Sequence, residues 1–319
     1  MPLLLDLPND LILVIAEALG SDSHNLNSFL RSSCHLRDLL THTLHKLAVQ
    51  DKHGVPAILW AVLNNWTPLV LLLLDKGIDI NLADNGGSTA LHYAVNKGYI
   101  QLIQLLLSKG AKVNARDKDG ATVLHEACYR GSEPIVTLLL DYGADIEAAM
   151  DNGTTVFQWA IMWNQEEIVR ILLKRGIDVH ARTYDGSTAL HPAVLLRYEG
   201  ITRLLLENGL AEDINKVSES GVYGNSRNCT VLQYTATTGG DETIGRLLLE
   251  HGADTEIRDS LGKTALIWAT EFGNIAVVKL LLEWGANKDV IGIDGETAYQ
   301  RAVARGWVAI ERLLTGNLN

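Results

Sequence analysis

The stretch Asp84–Arg116, DNGGSTALHYAVNKGYIQLIQLLLSKGAKVNAR, decides the architecture of this chain. The stretch that follows, Asp117–Ala149, is DKDGATVLHEACYRGSEPIVTLLLDYGADIEAA and repeats the same pattern in other residues. Self-similarity at a fixed period of about 33 residues is the signature of a stacked helical array. Within one unit, Gly86-Gly87 marks a turn, because glycine accepts positive φ without a Cβ clash. Thr89 stands where a first helix begins and can cap its free N–H groups. Leu91, Ala94 and Val95 share one face of that helix, and Gly98 ends it. Ile100, Ile103, Leu105, Leu106 and Leu107 form a second helix, closed by Gly110. Each helix has about two to three turns, too few to hold alone in water. The units must therefore stack, and their apolar faces merge into one quasi-one-dimensional core.

The elements Gly-x-Thr-Ala-Leu-His, the Gly after the first helix, the Leu-Leu-Leu run and Gly-Ala-x-x-Asn-Ala recur in register. They resemble the ankyrin repeat. The resemblance implies an all-α solenoid of about eight repeats over residues 51–319, a fold that binds a partner without naming it. Repeat one, Asp51–Ala83, is degenerate, with Pro56 ahead of Leu59-Trp60-Ala61 and Leu69–Leu74 leading to Gly77. In repeat four, Met150–Arg182, Asn164 or Gln165 stands in for the usual Gly. Repeat five, from Thr183, carries Pro192 inside its first turn and Arg197 where Gly is expected, so its first helix should be locally altered. The register then breaks at Asp213–Asn228, a Gly-, Ser- and Asn-rich insertion expected as a loop beside the concave face. Repeat six resumes at Cys229 with one extra residue near Gly239-Gly240; repeat seven is Asp259–Ile291, and repeat eight, from Gly292, closes the stack.

Residues 1–50 lack this pattern. Leu7-Pro8-Asn9-Asp10 opens an amphipathic helix with Leu11, Ile12, Ile15 and Leu19. After the polar break Ser21–Asn27 comes a second helical stretch with Leu26, Phe29, Leu30, Cys34, Leu36, Leu39 and Leu40. Leu-Pro-x-Asp-Leu-x-x-x-Ile followed by Leu-Arg-x-x-x-x-Leu-x-x-Leu-Leu resembles the F-box. That resemblance implies docking on a Skp-type adaptor of a cullin-type ubiquitin ligase, with Leu7, Pro8, Leu11, Ile12 and Ile15 as contacts. The other reading is that these helices cap the apolar face of the first repeat.

Composition narrows the classes. Lys and Arg number 27 against 38 Asp and Glu, a formal charge of −11, which speaks against a nucleic-acid footprint or an anionic membrane surface. Cys34, Cys128 and Cys229 form no disulfide or zinc pattern, so a reducing, intracellular location, cytoplasmic or nuclear, is expected. The opening MPLLLDLPNDLILVIAEAL lacks a basic start and is interrupted by acids, unlike a signal peptide.

Several residues invite a chemical reading. His92, His125 and His191 share a slot that elsewhere holds Gln158, Gln233, Ile267 and Gln300. The ankyrin resemblance implies that this slot hydrogen-bonds between adjacent turns, a role that tolerates Gln as a ligand set rarely would, so no metal is expected. Asp119, Asp185 and Asp294 precede a turn Gly and read as turn chemistry. Trp60, Trp159 and Trp268 share one slot with Tyr93 and Tyr234, expected as a buried stripe. The last two positions of the first helices are Asn96-Lys97, Tyr129-Arg130, Met162-Trp163, Leu195-Leu196, Thr237-Thr238, Glu271-Phe272 and Ala304-Arg305. These slots should be solvent-facing, yet the middle of the array fills them with Tyr129, Met162, Trp163, Leu195 and Leu196. An exposed apolar patch with aromatic and Arg anchors is the usual makeup of a binding hot spot.

The expected target site is thus Tyr129, Arg130, Met162, Trp163, Tyr184, Leu195, Leu196, Tyr223, Glu271 and Phe272, with Val222 and Tyr223 on the inserted loop. No P-loop, G-x-S-x-G, H-E-x-x-H or dinucleotide fingerprint is present. Three readings follow: a target-binding subunit of a ubiquitin ligase; a plain scaffold with a helical cap; or a small-molecule, even catalytic, groove drawing on Tyr129, Arg130, Trp163, Tyr184, Asp185, Tyr223 and Glu271. No cofactor is implied by any of them.

Overall fold

The structure, a computed structural model, describes residues 57–75, 77–219, 228–237 and 241–316. The adaptor contacts Leu7, Pro8, Leu11, Ile12 and Ile15, the rest of segment 1–50, and Val222 and Tyr223 lie outside the described residues. The chain divides into two compact units with a boundary between Asp145 and Ile146.

The first unit holds α1 (Ala57–Leu63), α2 (Thr67–Asp75), α3 (Ala90–Lys97), α4 (Ile100–Ser108), α5 (Val123–Arg130) and α6 (Glu133–Asp141). The second holds α7 (Val156–Met162), α8 (Glu166–Lys174), α9 (Leu190–Leu195), α10 (Glu199–Glu207), α11 (Val231–Thr237), α12 (Glu242–Glu250), α13 (Ala265–Glu271), α14 (Ile275–Glu283), α15 (Ala298–Arg305) and α16 (Val308–Thr315). The helices fall into contacting pairs of one short first helix and one second helix. In the first unit α3 packs on both α1 and α5. In the second, α7, α9, α11, α13 and α15 pack in sequence as one layer, and α8, α10, α12, α14 and α16 as another.

The reasons are local. Leu91, Ala94 and Val95 of α3 and Leu102, Ile103, Leu106 and Leu107 of α4 are buried, while Gln101, Gln104 and Ser108 face solvent. Gly98 sits at φ 73°, where a side chain would be strained, and its N–H bonds the Val95 carbonyl at 3.0 Å. In α7 the same corner is turned by Asn164 at φ 54°, and in α9 by Arg197 at φ 61°. Asn tolerates that region better than other non-Gly residues; Arg does so at a strain cost. The first helix of that fifth unit is altered as expected: α9 starts at Leu190 rather than just after Thr188 and is six residues long.

The turn acids obey a rule more general than the sequence reading. Asp84, Asp117 and Asp259 stand three residues before the turn Gly, and each Oδ1 accepts two backbone N–H groups, as from Gly86 and Ser88 at 2.8 and 2.9 Å. Where Thr183 fills that place, Thr183 Oγ1 and Asp185 Oδ1 both accept from the Ser187 N–H at 3.1 Å, and where Gly292 fills it, Asp294 just before Gly accepts from the Glu296 N–H. Asn152 does the same for Thr154.

Two expectations need correction. The insertion is not wholly irregular: a 3-10 turn, Leu210–Asp213, leads to β1 (Val217–Ser218), paired antiparallel with β2 (Cys229–Thr230). Four other turns close with bridge partners six residues apart, such as Ala83 with Thr89, whereas Val217 pairs with Thr230, thirteen apart. By chain length, the connection from β1 to β2 is therefore a long finger beside those turns. The aromatic stripe is also only partly buried. Tyr234 and Trp268 are buried, but Trp60, Tyr93 and Trp159 are half-buried.

Candidate partner-binding face

The candidate residues come from one place in the unit, the last turn of each first helix. In the second unit Met162 ends α7 and Trp163 follows it, held edge-on to Trp159 at 6.0 Å between ring centroids. Leu195 ends α9 and Leu196 follows. Phe272 follows α13 and stacks on Trp268 at 5.8 Å. The exposures of Met162, Trp163, Leu195, Leu196 and Phe272 run from 38% to 45%, which is high for large apolar side chains at helix ends. Because α7 packs on α9, the first four sit at equivalent ends of neighbouring helices. Between them and Phe272, Thr237 at the end of α11 is buried. In the first unit Tyr129 and Arg130 end α5; Tyr129 is exposed, and Arg130 pairs with Glu126 at 3.4 Å along the same helix.

Tyr184 projects from the turn between α8 and α9 and is 80% exposed. One face of its ring covers the backbone of Gly153: a Cβ there would lie 3.1 Å from the Tyr184 ring. The long finger is anchored beside it. Ser187 Oγ and Ser218 Oγ are 2.6 Å apart, and the Glu219 N–H donates to the Asp185 carbonyl at 2.8 Å.

Glu271 has a different environment from the apolar candidates. Its carboxylate accepts from Lys263 Nζ at 2.5 Å and Arg301 Nη1 at 3.3 Å, and lies 3.6 Å from Arg305 Nη2. The Lys263 and Arg301 side chains are only 8% and 9% exposed. Lys263 also lies over the Trp268 ring at 4.2 Å, and Arg301 reaches Asp294. Lys263 and Arg301 escaped the sequence reading. The available signal was Arg301 in the slot that elsewhere carries Tyr93, Trp159, Tyr234 or Trp268.

In the histidine slot the glutamines make the expected hydrogen bonds between turns. The Gln158 side-chain amide donates to the Ser187 carbonyl at 3.1 Å, and its oxygen accepts the Thr155 N–H at 3.1 Å. Gln233 likewise donates to the Ile257 and Lys263 carbonyls, both at 2.9 Å. In His92 and His191, Nδ1 accepts the N–H of Thr89 and Thr188. The opposite nitrogen, Nε2, has no partner of full hydrogen-bond geometry, although backbone groups of Ala121 and Cys229 partly offset the burial of the two rings. Burial lowers both pKa values, that of His191 to about 4. Burial pushes the Cys128 thiol far above its ordinary range, so it is a poor nucleophile. Among the described residues no group of three or more His, Cys, Asp or Glu is placed to hold a metal, and no helix is long and apolar enough to cross a membrane.

No curated protein sequence matches this chain. A family model described as "Ankyrin repeats (3 copies)" matches residues 31–117, 109–183 and 212–292. The first match begins inside segment 1–50, and the interval 184–211 left between matches holds Pro192 and Arg197, where α9 departs from the pattern. The matched segments cover well over half of the sequence, and the helix pairs repeat with the same caps and turns: the chain belongs to the ankyrin repeat family.

Proposed function

We propose that this chain is a protein–protein interaction module that grips a target on the concave face of its array of about eight repeats. The observation that carries the reading is the row of exposed apolar side chains, Met162, Trp163, Leu195 and Leu196, at equivalent helix ends of the second unit. Water-exposed Trp and Leu side chains gain when a partner covers them, and aromatic anchors account for much of the energy of such contacts. Tyr184 and Phe272 extend this face, and Tyr129 with Arg130 offers a like surface in the first unit. Met162, Trp163, Leu195 and Leu196 sit on successive helix ends, an extended arrangement that favours a target protein over a small molecule.

Trp163→Ala combined with Leu196→Asp should abolish recovery of the specific target from lysate while leaving the helical signal and thermal midpoint near those of the parent. Equal recovery by the double variant refutes this face. The finer reading, target selection for a cullin-type ubiquitin ligase through a Skp-type adaptor, rests on the sequence of segment 1–50. Binding of a purified Skp-type adaptor, lost in Leu7→Asp with Ile12→Asp, supports it; no binding by the parent chain overturns it and leaves the scaffold reading.

A further inference from the structure

Stacked repeats must hold their loops in register as well as their helices. A single row of side chains does this here. Asn81 Oδ1 accepts the Lys112 N–H at 2.8 Å, and Asn114 Oδ1 accepts the Asp145 N–H at 2.8 Å. In the second unit Glu147 Oε1 accepts the Asp178 N–H at 2.7 Å, Asn215 Oδ1 the Asp254 N–H at 2.8 Å, and Glu256 Oε1 the Asn287 N–H at 2.9 Å. Each rung joins a side chain of one repeat to the backbone of the next.

Among the described residues one rung is built differently. His180 occupies the slot, and Asp213 stands where Asp145, Asp178 and Asp254 stand in the others. Here the contact runs from side chain to side chain, with His180 Nδ1 2.7 Å from Asp213 Oδ2. A carboxylate only accepts, so Nδ1 carries the proton. The Asp213 side chain is 8% exposed, and its other oxygen lies 4.0 Å from Arg182 Nη2. This rung also stands at the base of the long finger: Asp213 ends the 3-10 turn Leu210–Asp213, its carbonyl accepts the Lys216 N–H at 2.9 Å, and β1 follows at once.

We propose that His180 and Asp213 form a proton-dependent latch that sets how firmly residues 210–218, the root of the long finger, are held against the preceding repeat. Protonated His180 makes a charge-assisted hydrogen bond, roughly twice as strong as a neutral one. On deprotonation the ring must keep its remaining proton on Nδ1, and the buried carboxylate is left with Arg182 as its nearby cation. The groups facing the ring are Asp213, Asp178 and Glu212, all anionic. The hydrogen bond to Asp213 foremost raises the His180 pKa above its ordinary 6.5 against the effect of burial, and the three charges add to the rise. A raised value in the folded chain means that the latch contributes fully below pH 6.5 and is lost as pH rises through the folded value. The ring is about half exposed, so salt weakens the effect. The other rungs use Asn or Glu and need no proton between pH 6 and pH 8.

The test is amide exchange on the full chain at constant ionic strength, corrected for intrinsic rates, at pH 6 and pH 8. Peptides within 210–218 of the parent should lose protection severalfold at the higher pH, while those around the Glu256–Asn287 rung stay level. His180→Asn, which installs the residue of the neighbouring rungs, should show no such pH dependence. An unchanged parent, or a His180→Asn chain with the same dependence, overturns the latch. Should the variant fail to fold, NMR titration of the His180 ring in the parent decides: a midpoint above 6.5 supports the latch, and one at or below it refutes it.

Discussion

Glu271 stood among the candidate target contacts, and the structure gives its carboxylate a second employment. Glu271→Gln keeps the shape and removes the charge. Lys263 and Arg301 are nearly buried, so both lose their shared anion in a place where water cannot replace it. Removing one partner of a buried ion pair costs about 3–5 kcal/mol. Arg301 keeps Asp294 and Glu296, and Lys263 keeps the face of Trp268. Glu271 itself is one-fifth exposed, and its contact to half-exposed Arg305 is worth little. These retained partners lower the expected loss to about 2–4 kcal/mol. Repeat arrays do not unfold in one step, so the readout is the local opening free energy from amide exchange in α13 and α15. The companion is Lys263→Met with Glu271→Leu, which removes charges from both sides. It should cost less than the sum of its two single substitutions, because each single change strands a buried charge that the double change partly removes. A loss below about 1 kcal/mol for Glu271→Gln, or strict additivity in the pair, defeats the view that this carboxylate serves the interior.

Other consequences are as direct. A Cβ on Gly273, at φ 71°, would lie 2.7 Å from the Trp307 ring, whereas one on Gly306, at φ 69°, meets nothing within 4 Å. Gly273→Ala should therefore cost about 1 kcal/mol more than Gly306→Ala and alter Trp307 emission; equal costs by urea denaturation contradict this. Thr264 has a buried hydroxyl without a partner, whereas Thr155 Oγ1 accepts the Gln158 backbone N–H at 3.2 Å. Thr264→Val should be neutral or stabilising, while Thr155→Val should lose about 1 kcal/mol; the reverse order in thermal midpoints rules the argument out. His191 titrates near 4 when folded and near 6.5 when unfolded, so the unfolded chain binds the extra proton between those values and stability falls as pH drops through them. The loss should reach about 3 kcal/mol, and His191→Gln should abolish it in urea midpoints compared at pH 7 and pH 4.5.

Much of the fold was legible because each turn announces itself in backbone terms. Gly98, Gly131, Gly273 and Gly306 occupy left-handed positions that few other residues take, and their spacing reveals the period. Asn164 was readable as a substitute, and Pro192 with Arg197 as a disturbance, since both departures act on local dihedrals. The turn acids were harder. Asp119, Asp185 and Asp294 looked equivalent in sequence, but Asp117 serves the turn that Asp119 flanks. Which acid acts depends on whether the place three residues before Gly already holds a carboxylate, a relation between two positions that no single motif displays. The hairpin of β1 and β2 was hidden for a similar reason: two residues on each side are too few for any strand pattern.

At the helix ends, exposure was legible only where solvent contact decides the matter. Met162, Trp163, Leu195 and Leu196 could be placed by counting along a helix, because the side opposite the core is set by the period of 3.6. Glu271 could not, since its role is decided by Lys263, eight residues earlier, and Arg301, thirty later, both drawn in by repeat packing. A charged residue at an outward position can be turned inward by cations that the next repeat delivers. An apolar residue has no such alternative: left at that position it stays in water until another surface covers it. That asymmetry is why the apolar row, rather than Glu271, carries the argument for a target.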